Sequence, residues 1–126
     1  MRIAINLVYI RKKALLLLRK RDVWILPGGK PNILELDHDC LKRENQEELP
    51  GSRIVIGRHY RNFKGKTPHT KDILLARVFL GSIRGDTSPS AEISEARFFT
   101  AEEFSEIPIS EITKKVIRSL IKDKLL

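Results

Sequence analysis

Cysteine is nearly absent: Cys40 is the only one among 126 residues. No intrachain disulfide can form, which fits a reducing compartment and points to a cytoplasmic protein. Cys40 falls within a helical pattern and reads as a small buried apolar residue. Long apolar runs are missing as well. The longest, "ALLLL" at 14–18, is far shorter than the ~20 residues that cross a bilayer, so no membrane association is expected. The stretch "MRIAINLVYIRKK" has neither the apolar segment nor the small-residue cleavage site of a secretory leader. Repeats, low-complexity tracts and linkers are absent too, and the composition excludes a fully disordered chain.

What remains is a chain with 41% apolar and 32% charged residues, enough for a core without staples. Folding at this length buries roughly two-thirds of the unfolded surface, and one domain over 1–126 is expected. The net charge is +8. An anionic partner (nucleotide, nucleic acid or acidic surface) and a Lys-rich solubilising surface explain that excess equally well.

"RIAINLVYI" and "ALLLLRK" read as strands separated by the basic "RKK", and "VWIL" as a third strand stopped by Pro27-Gly28-Gly29. A helix is expected from Leu36 to Leu49, with Asp37 as N-cap and Pro50-Gly51 as terminator. "RIVIGRHYRNF", bulged near Gly57, "DILLARVFLGSI" and "EARFFT" read as strands. Between the first two, "KGKTPHTK" reads as a loop. Thr100 and Glu103 have capping-box spacing. Ser110 can cap a last helix whose apolar stripe is Ile112, Val116, Ile117, Leu120 and Ile121. Lys114, Lys115, Arg118 and Lys122 fall off that stripe, on what reads as the solvated face. Together these elements make an α/β fold, a mixed sheet covered by helices.

The helix over 36–49 is poor in core residues and rich in acid. Glu44 and Glu48 are spaced i, i+4 and Glu44 and Glu47 i, i+3, so they share one face and repel. Arg43 or a divalent cation would compensate. Mg²⁺ takes oxygen ligands and commonly binds one or two carboxylates together with substrate phosphates.

Upstream spacing sharpens this. Gly29-x5-Glu35-x7-Arg43-Glu44-x2-Glu47-Glu48, following "WILPGG", resembles the signature box of the Nudix hydrolase family, here about 29–51. Six positions at about 7% usage each coincide by chance roughly once in ten million starts. The strand order and "AEISEARFFTAEEF" are similar to the family too. Three positions depart: Asn45 replaces an aliphatic residue, Pro50 stands where a Gly is usual, and Leu34 stands where a Gly often precedes Glu35. No carboxylate is lost.

The resemblance implies a Nudix-type α/β/α sandwich. It also implies a pyrophosphohydrolase that splits a nucleoside diphosphate linked to a group X, with Mg²⁺ or Mn²⁺ as cofactor. Glu44 and Glu48 would be metal ligands, Glu47 a third ligand or the base, and the Gly28 carbonyl a further ligand. Arg43 would hold the helix against the loop, and Glu35 would orient Arg43 or a metal-bound water. Glu92, or less directly Glu95, would supply a loop carboxylate. Arg11, Lys12 or Arg58 could meet phosphates, and Tyr9, Tyr60 or Phe63 could stack a base. Pro68 sits at an offset some ADP-ribose-cleaving relatives show. Trp24 reads as core, and His38, His59 and His69 have no ligand spacing. The partner is expected to be a small nucleotide or an RNA 5′ end. A non-catalytic nucleotide-sensing or RNA-binding module on the same scaffold is the alternative.

Overall fold

The computed structural model describes residues 1–67 and 70–126; Pro68 and His69 lie outside the described residues. In order the elements are β1 (Arg2–Val8), β2 (Ile10–Arg11), β3 (Ala14–Lys20), β4 (Val23–Ile25), β5 (Gly28–Gly29), α1 (Asp37–Glu48), β6 (Ser52–Lys66), β7 (Ile73–Gly85) and β8 (Ile93–Thr100). A 3₁₀ turn (Ala101–Glu106) and α2 (Glu111–Lys122) follow.

One sheet is mixed, in the order β5-β1-β7-β6. β1 runs parallel to β7, from Arg2↔Leu74 to Val8↔Leu80, while β5 and β6 run antiparallel to their neighbours. The second sheet is antiparallel and joins β2, β3 and β4, with β8 on β3.

The run at 15–18 explains the layering. All four leucines are buried, and alternation sends them to opposite faces. Leu15 and Leu17 join the core under α2, made by Ile112, Val116, Ile117 and Leu120 together with Trp24 and Phe99. Leu16 and Leu18 join the core under α1, made by Cys40, Leu41 and Leu49 with Ile5, Leu7 and Phe79. Each buried leucine contributes about 1.5–3 kcal/mol. A run apolar on both faces therefore demands a cover on each side, and the result is an α/β/α sandwich. Among the described residues no helix is long and apolar enough to cross a membrane.

Several boundaries differ from the sequence expectation. The first strand breaks at Tyr9, which sends Ile10 and Arg11 to the second sheet. Gly28 and Gly29, expected to stop the third strand, themselves pair with Asn6 and Ile5. β6 continues through Lys64-Gly65-Lys66, because Leu75, Leu74 and Ile73 extend its ladder. The expected irregularity near Gly57 appears as register shifts between Ile56 and Arg61. Leu36, not Asp37, is the N-cap of α1, and no side chain caps that end. Asp37 is drawn away by Arg77, whose Nε and Nη2 each donate to it at 2.8 Å. A charge-assisted fork is stronger than a single cap bond. The Thr100–Glu103 capping box is present but opens a 3₁₀ turn. Ser110 caps α2, accepting from the Thr113 N–H at 3.3 Å.

Candidate active site

The site begins with two glycines. Gly28 has φ +132°, and a Cβ there would fall 2.0 Å from the Ile5 carbonyl oxygen. Only glycine allows that approach. At Gly29 a Cβ would lie 2.4 Å from the Glu44 carboxylate. The bare backbone of β5 thus lets α1 press its acidic face against the strand. Asn6 holds the same turn from β1, donating from Nδ2 to the Pro27 carbonyl at 3.2 Å.

Glu48 is 7% exposed, and its Oε1 accepts from the Gly28 N–H at 3.1 Å. Burial pushes its carboxyl up to about 8, with Glu44 adding to the rise while the Gly28 N–H opposes it. Burial also raises Glu44, against the pull of Arg43. Arg43 sits at the centre of the acidic group. Its Nε and Nη2 donate to both oxygens of Glu35 at 2.9 and 3.0 Å, and Nη2 reaches the Lys30 carbonyl at 2.9 Å. Its Nη1 donates to Glu44 at 3.1 Å and to Glu47 at 3.4 Å. The bond from Arg43 holds the Glu35 carboxyl down at about 2. Arg43 therefore ties α1 to the loop before it, and Glu35 fixes its plane.

Glu44, Glu47 and Glu48 line one cleft of about 670 Å³ with Gly28 and Gly29. Glu92 stands on the same cleft, 72% exposed, with its carboxylate 2.9 Å from Lys20 Nζ. Glu95 turns instead to Arg19 and Arg97.

The three helix carboxylates share a wall without closing into a cage. Among the described residues no group of three His, Cys, Asp or Glu side chains forms a closed ligating set. Glu44 faces Arg43, and Glu48 faces the Gly28 N–H. The donors still suit a hard cation. They are carboxylate oxygens on a rigid helix, two of them desolvated, and Arg43 reaches only Glu44 of that pair.

The cationic lining came from unexpected positions. Arg2, Lys20, Arg21, Lys30 and Lys66 line the cleft, whereas Arg11, Lys12 and Arg58 do not. Arg11 lies over the Phe98 ring at 4.5 Å. No aromatic side chain among the described residues lines the cleft. Tyr9 packs edge-on against Phe98, and Tyr60 packs on Phe63 with its hydroxyl bonded to Asp123. Trp24 is core, against Phe99. His38 and His59 both pack at a steep angle against Phe79, away from the cleft lining. The offsets of Pro68 and His69 fall outside the described residues. Lys30, directly after the glycines, is the one lining cation whose place beside them shows in sequence. The other four converge only through strand pairing.

The fold and this carboxylate-bearing helix define a class, the Nudix pyrophosphohydrolases. The NUDIX domain profile matches residues 1–120, and the chain belongs to the Nudix family. Among solved structures it is similar to the MutT protein of Methanosarcina mazei Go1 (TM-score 0.82, 22% identity, 98% of this chain and 94% of that one). It is also similar to the MutT Nudix hydrolase of Burkholderia pseudomallei (0.80, 20%, 93% and 95%). A third is an ADP-ribose pyrophosphatase from Streptococcus suis 89-1591 (0.68, 19%, 89% and 81%). Identities this low establish a shared fold and leave the substrate open. No curated protein matches the sequence.

Proposed function

We propose that residues 1–126 act as one catalytic unit that hydrolyses, with Mg²⁺ or Mn²⁺, the pyrophosphate bond of a nucleoside diphosphate linked to a further group X. X would be additional phosphate, a sugar as in ADP-ribose, or a second nucleotide. The observation that carries the proposal is the meeting of Glu44, Glu47 and Glu48 with five cationic side chains in one cleft. The carboxylates suit a metal, and the cations suit the phosphates of the substrate.

Glu44 and Glu48 would hold the ion, with Glu47 and the Gly28 carbonyl as further ligands. The ion, when bound, would lower the pKa of water and neutralise charge on the phosphate. Glu47, the most exposed of the three and held only by a 3.4 Å contact to Arg43, would take the proton from the attacking water, and Glu92 is the second candidate for that task. Arg43 and Glu35 are positioning residues that keep the helix registered on the glycine turn. Lys20, Lys30 and Arg21 would draw in the anionic substrate and orient it. A cytoplasmic location, where nucleotides are abundant, fits the lone free cysteine.

Asn45 bears on the non-catalytic alternative. Its side chain is buried and donates to Ser52 Oγ at 3.1 Å, and it does not line the cleft. The altered position therefore leaves the carboxylate face intact, which favours the enzymatic reading. The test is a panel of nucleotides incubated with Mg²⁺ or Mn²⁺, with phosphate read after a coupled phosphatase. Release from at least one compound, abolished in Glu48→Gln, is expected. A folded wild-type protein inert on the whole panel would overturn the proposal.

A further inference from the structure

We infer that Ile33 and Leu34 form an apolar knob that docks, head to tail, in a hollow on a second copy of this chain. The two side chains are 94% and 96% exposed, and Leu36 beside them is 70% exposed. A turn so open to water is best served by polar residues, and φ 64° at Leu34 favours glycine. The turn is nevertheless rigid. The Glu35 N–H donates to the Asn32 carbonyl at 3.0 Å, and the Asn32 N–H donates to Glu35 Oε1 at 2.9 Å. Arg43 clamps the same turn through Glu35 and the Lys30 carbonyl. Two large aliphatic side chains are thus held out into water on a fixed, left-handed backbone. Strain of that kind points to a use beyond the isolated turn.

A matching hollow lies on the other layer of the sandwich. It holds about 210 Å³ and is lined by Val8, Ile10, Leu80, Gly81 and Leu125, with no polar side chain among them. A dry cavity of roughly 150 Å³ takes a benzene ring, so this one has room for a leucine side chain and part of its neighbour. Val8, Ile10 and Leu80 belong to the core under α2, whereas the knob leads into α1 on the opposite face. One chain therefore cannot fill its own hollow. Charge matches as well. Over 30–48 three cations stand against six carboxylates, a net −3 in a chain of +8, and Asp39 in the first turn of α1 is exposed. The hollow is flanked by exposed cations. Arg11 follows Ile10, Lys124 precedes Leu125, and Arg58 follows Gly57, which lies against the Leu80 carbonyl. Among the described residues, Asp39 and these three cations have no ion-pair partner within 4.0 Å. An anionic lipid surface would repel the acidic flank of the knob, whereas the rim of the hollow attracts it. The contact is heterologous, so each copy in a pair leaves one knob or one hollow free and further copies add in a row. One turn covers less than the roughly 1,200 Å² of a stable interface, so the association is weak and a dilute chain is monomeric.

The experiment is sedimentation velocity from roughly 10 µM to 1 mM, the range of a weak contact. It compares wild type with Leu34→Asp on the knob and with Leu125→Asp and Ile10→Ser in the hollow, each checked for folding by circular dichroism. Phosphatidylglycerol vesicles serve as the competing occupant. Wild type should sediment faster as concentration rises, and more so at low salt. Each folded variant should weaken association by about tenfold or more. An equimolar mixture of Leu34→Asp with either hollow variant should form a dimer and stop there, because the first keeps its hollow and the second its knob. A wild type that stays monomeric at the top concentration would overturn the inference, as would a folded Leu34→Asp that associates like wild type. A mixture no larger than its components would do the same, and so would vesicle binding lost in Leu34→Asp with self-association unchanged.

Discussion

Arg43 grips Glu35 with a two-toothed fork, Nε and Nη2 at 2.9 and 3.0 Å from the two carboxylate oxygens. The remaining nitrogen reaches Glu44, so one planar group orients the carboxylate-bearing helix from outside the cleft. Lysine carries the charge but not the plane. Arg43→Lys should therefore keep the fold, lose about 1.5–3 kcal/mol of stability and lower kcat roughly 100-fold through misplacement of the carboxylates. Urea denaturation and steady-state kinetics on any accepted nucleotide check both. A variant with full kcat would show that Arg43 does not set the helix.

The same pair makes an acid limb in stability. Glu35 is held down at about 2 by its bond to Arg43, from an ordinary value near 4.5. A lowered folded value means stabilisation that is fully present above about 4.5 and lost as pH falls through about 2. Urea midpoints measured between pH 6 and 2.5 should fall for wild type. In Glu35→Gln they should fall less, from a lower starting point.

Glu48 acts in the opposite sense and in a different window. Burial raises it to about 8. Without metal, the folded state keeps a proton that the unfolded chain gives up near 4.5. Stability is therefore greatest below that value and declines as pH rises towards 8. Glu48→Gln keeps an oxygen acceptor for the Gly28 N–H and removes the titration. Chelator-treated variant should match or exceed wild type at pH 8.5 in a urea melt, while its activity falls at least a thousandfold. Mg²⁺ should raise the wild-type midpoint by mass action and leave that of the variant where it was.

Much of this was legible beforehand, for physical reasons that differ by element. The four leucines of β3 could satisfy burial only in a strand covered on both faces, and Pro27-Gly28-Gly29 could only end the strand before it, though the pairing of the two glycines with β1 did not show. The carboxylate spacing is local, so the shared face of Glu44, Glu47 and Glu48 was readable from helical pitch, while their expected roles came from the upstream spacing and the family resemblance. Asp37 was misread because its partner, Arg77, lies forty residues away and outcompetes a local cap. Arg2 and Lys66 were invisible for a similar reason: they meet through the pairing of β1 and β6 with opposite sides of β7. The β6 boundary failed because Gly65 and its lysines look like a turn until the β7 ladder supplies partners.

Leu34, where the Nudix pattern often has glycine, has φ 64° and is 96% exposed. Its side chain gains nothing from burial and suffers the left-handed backbone. Leu34→Gly relieves that strain but loosens the unfolded chain, leaving a net stabilisation of about 0.5–1 kcal/mol. A melting temperature a few degrees higher, with unaltered kcat, is the expected measurement.

Asn45 presents the clearest local conflict in the helix. Its Nδ2 donates to Ser52 Oγ at 3.1 Å, while Oδ1 is buried with no partner. Ser52 does not depend on it, since its hydroxyl donates to the Leu49 carbonyl at 2.7 Å. Leucine reproduces the branching of the amide without the unmet acceptor. Removing a buried unsatisfied group is worth about 1–3 kcal/mol, less the one bond given up, and slight overpacking takes back part of that. Asn45→Leu should thus raise stability by about 1 kcal/mol in a urea titration. Asn45→Asp, which buries a charge at the same place, should lower it by several. Equal effects of the two substitutions would mean that water reaches the site and that the conflict is only apparent.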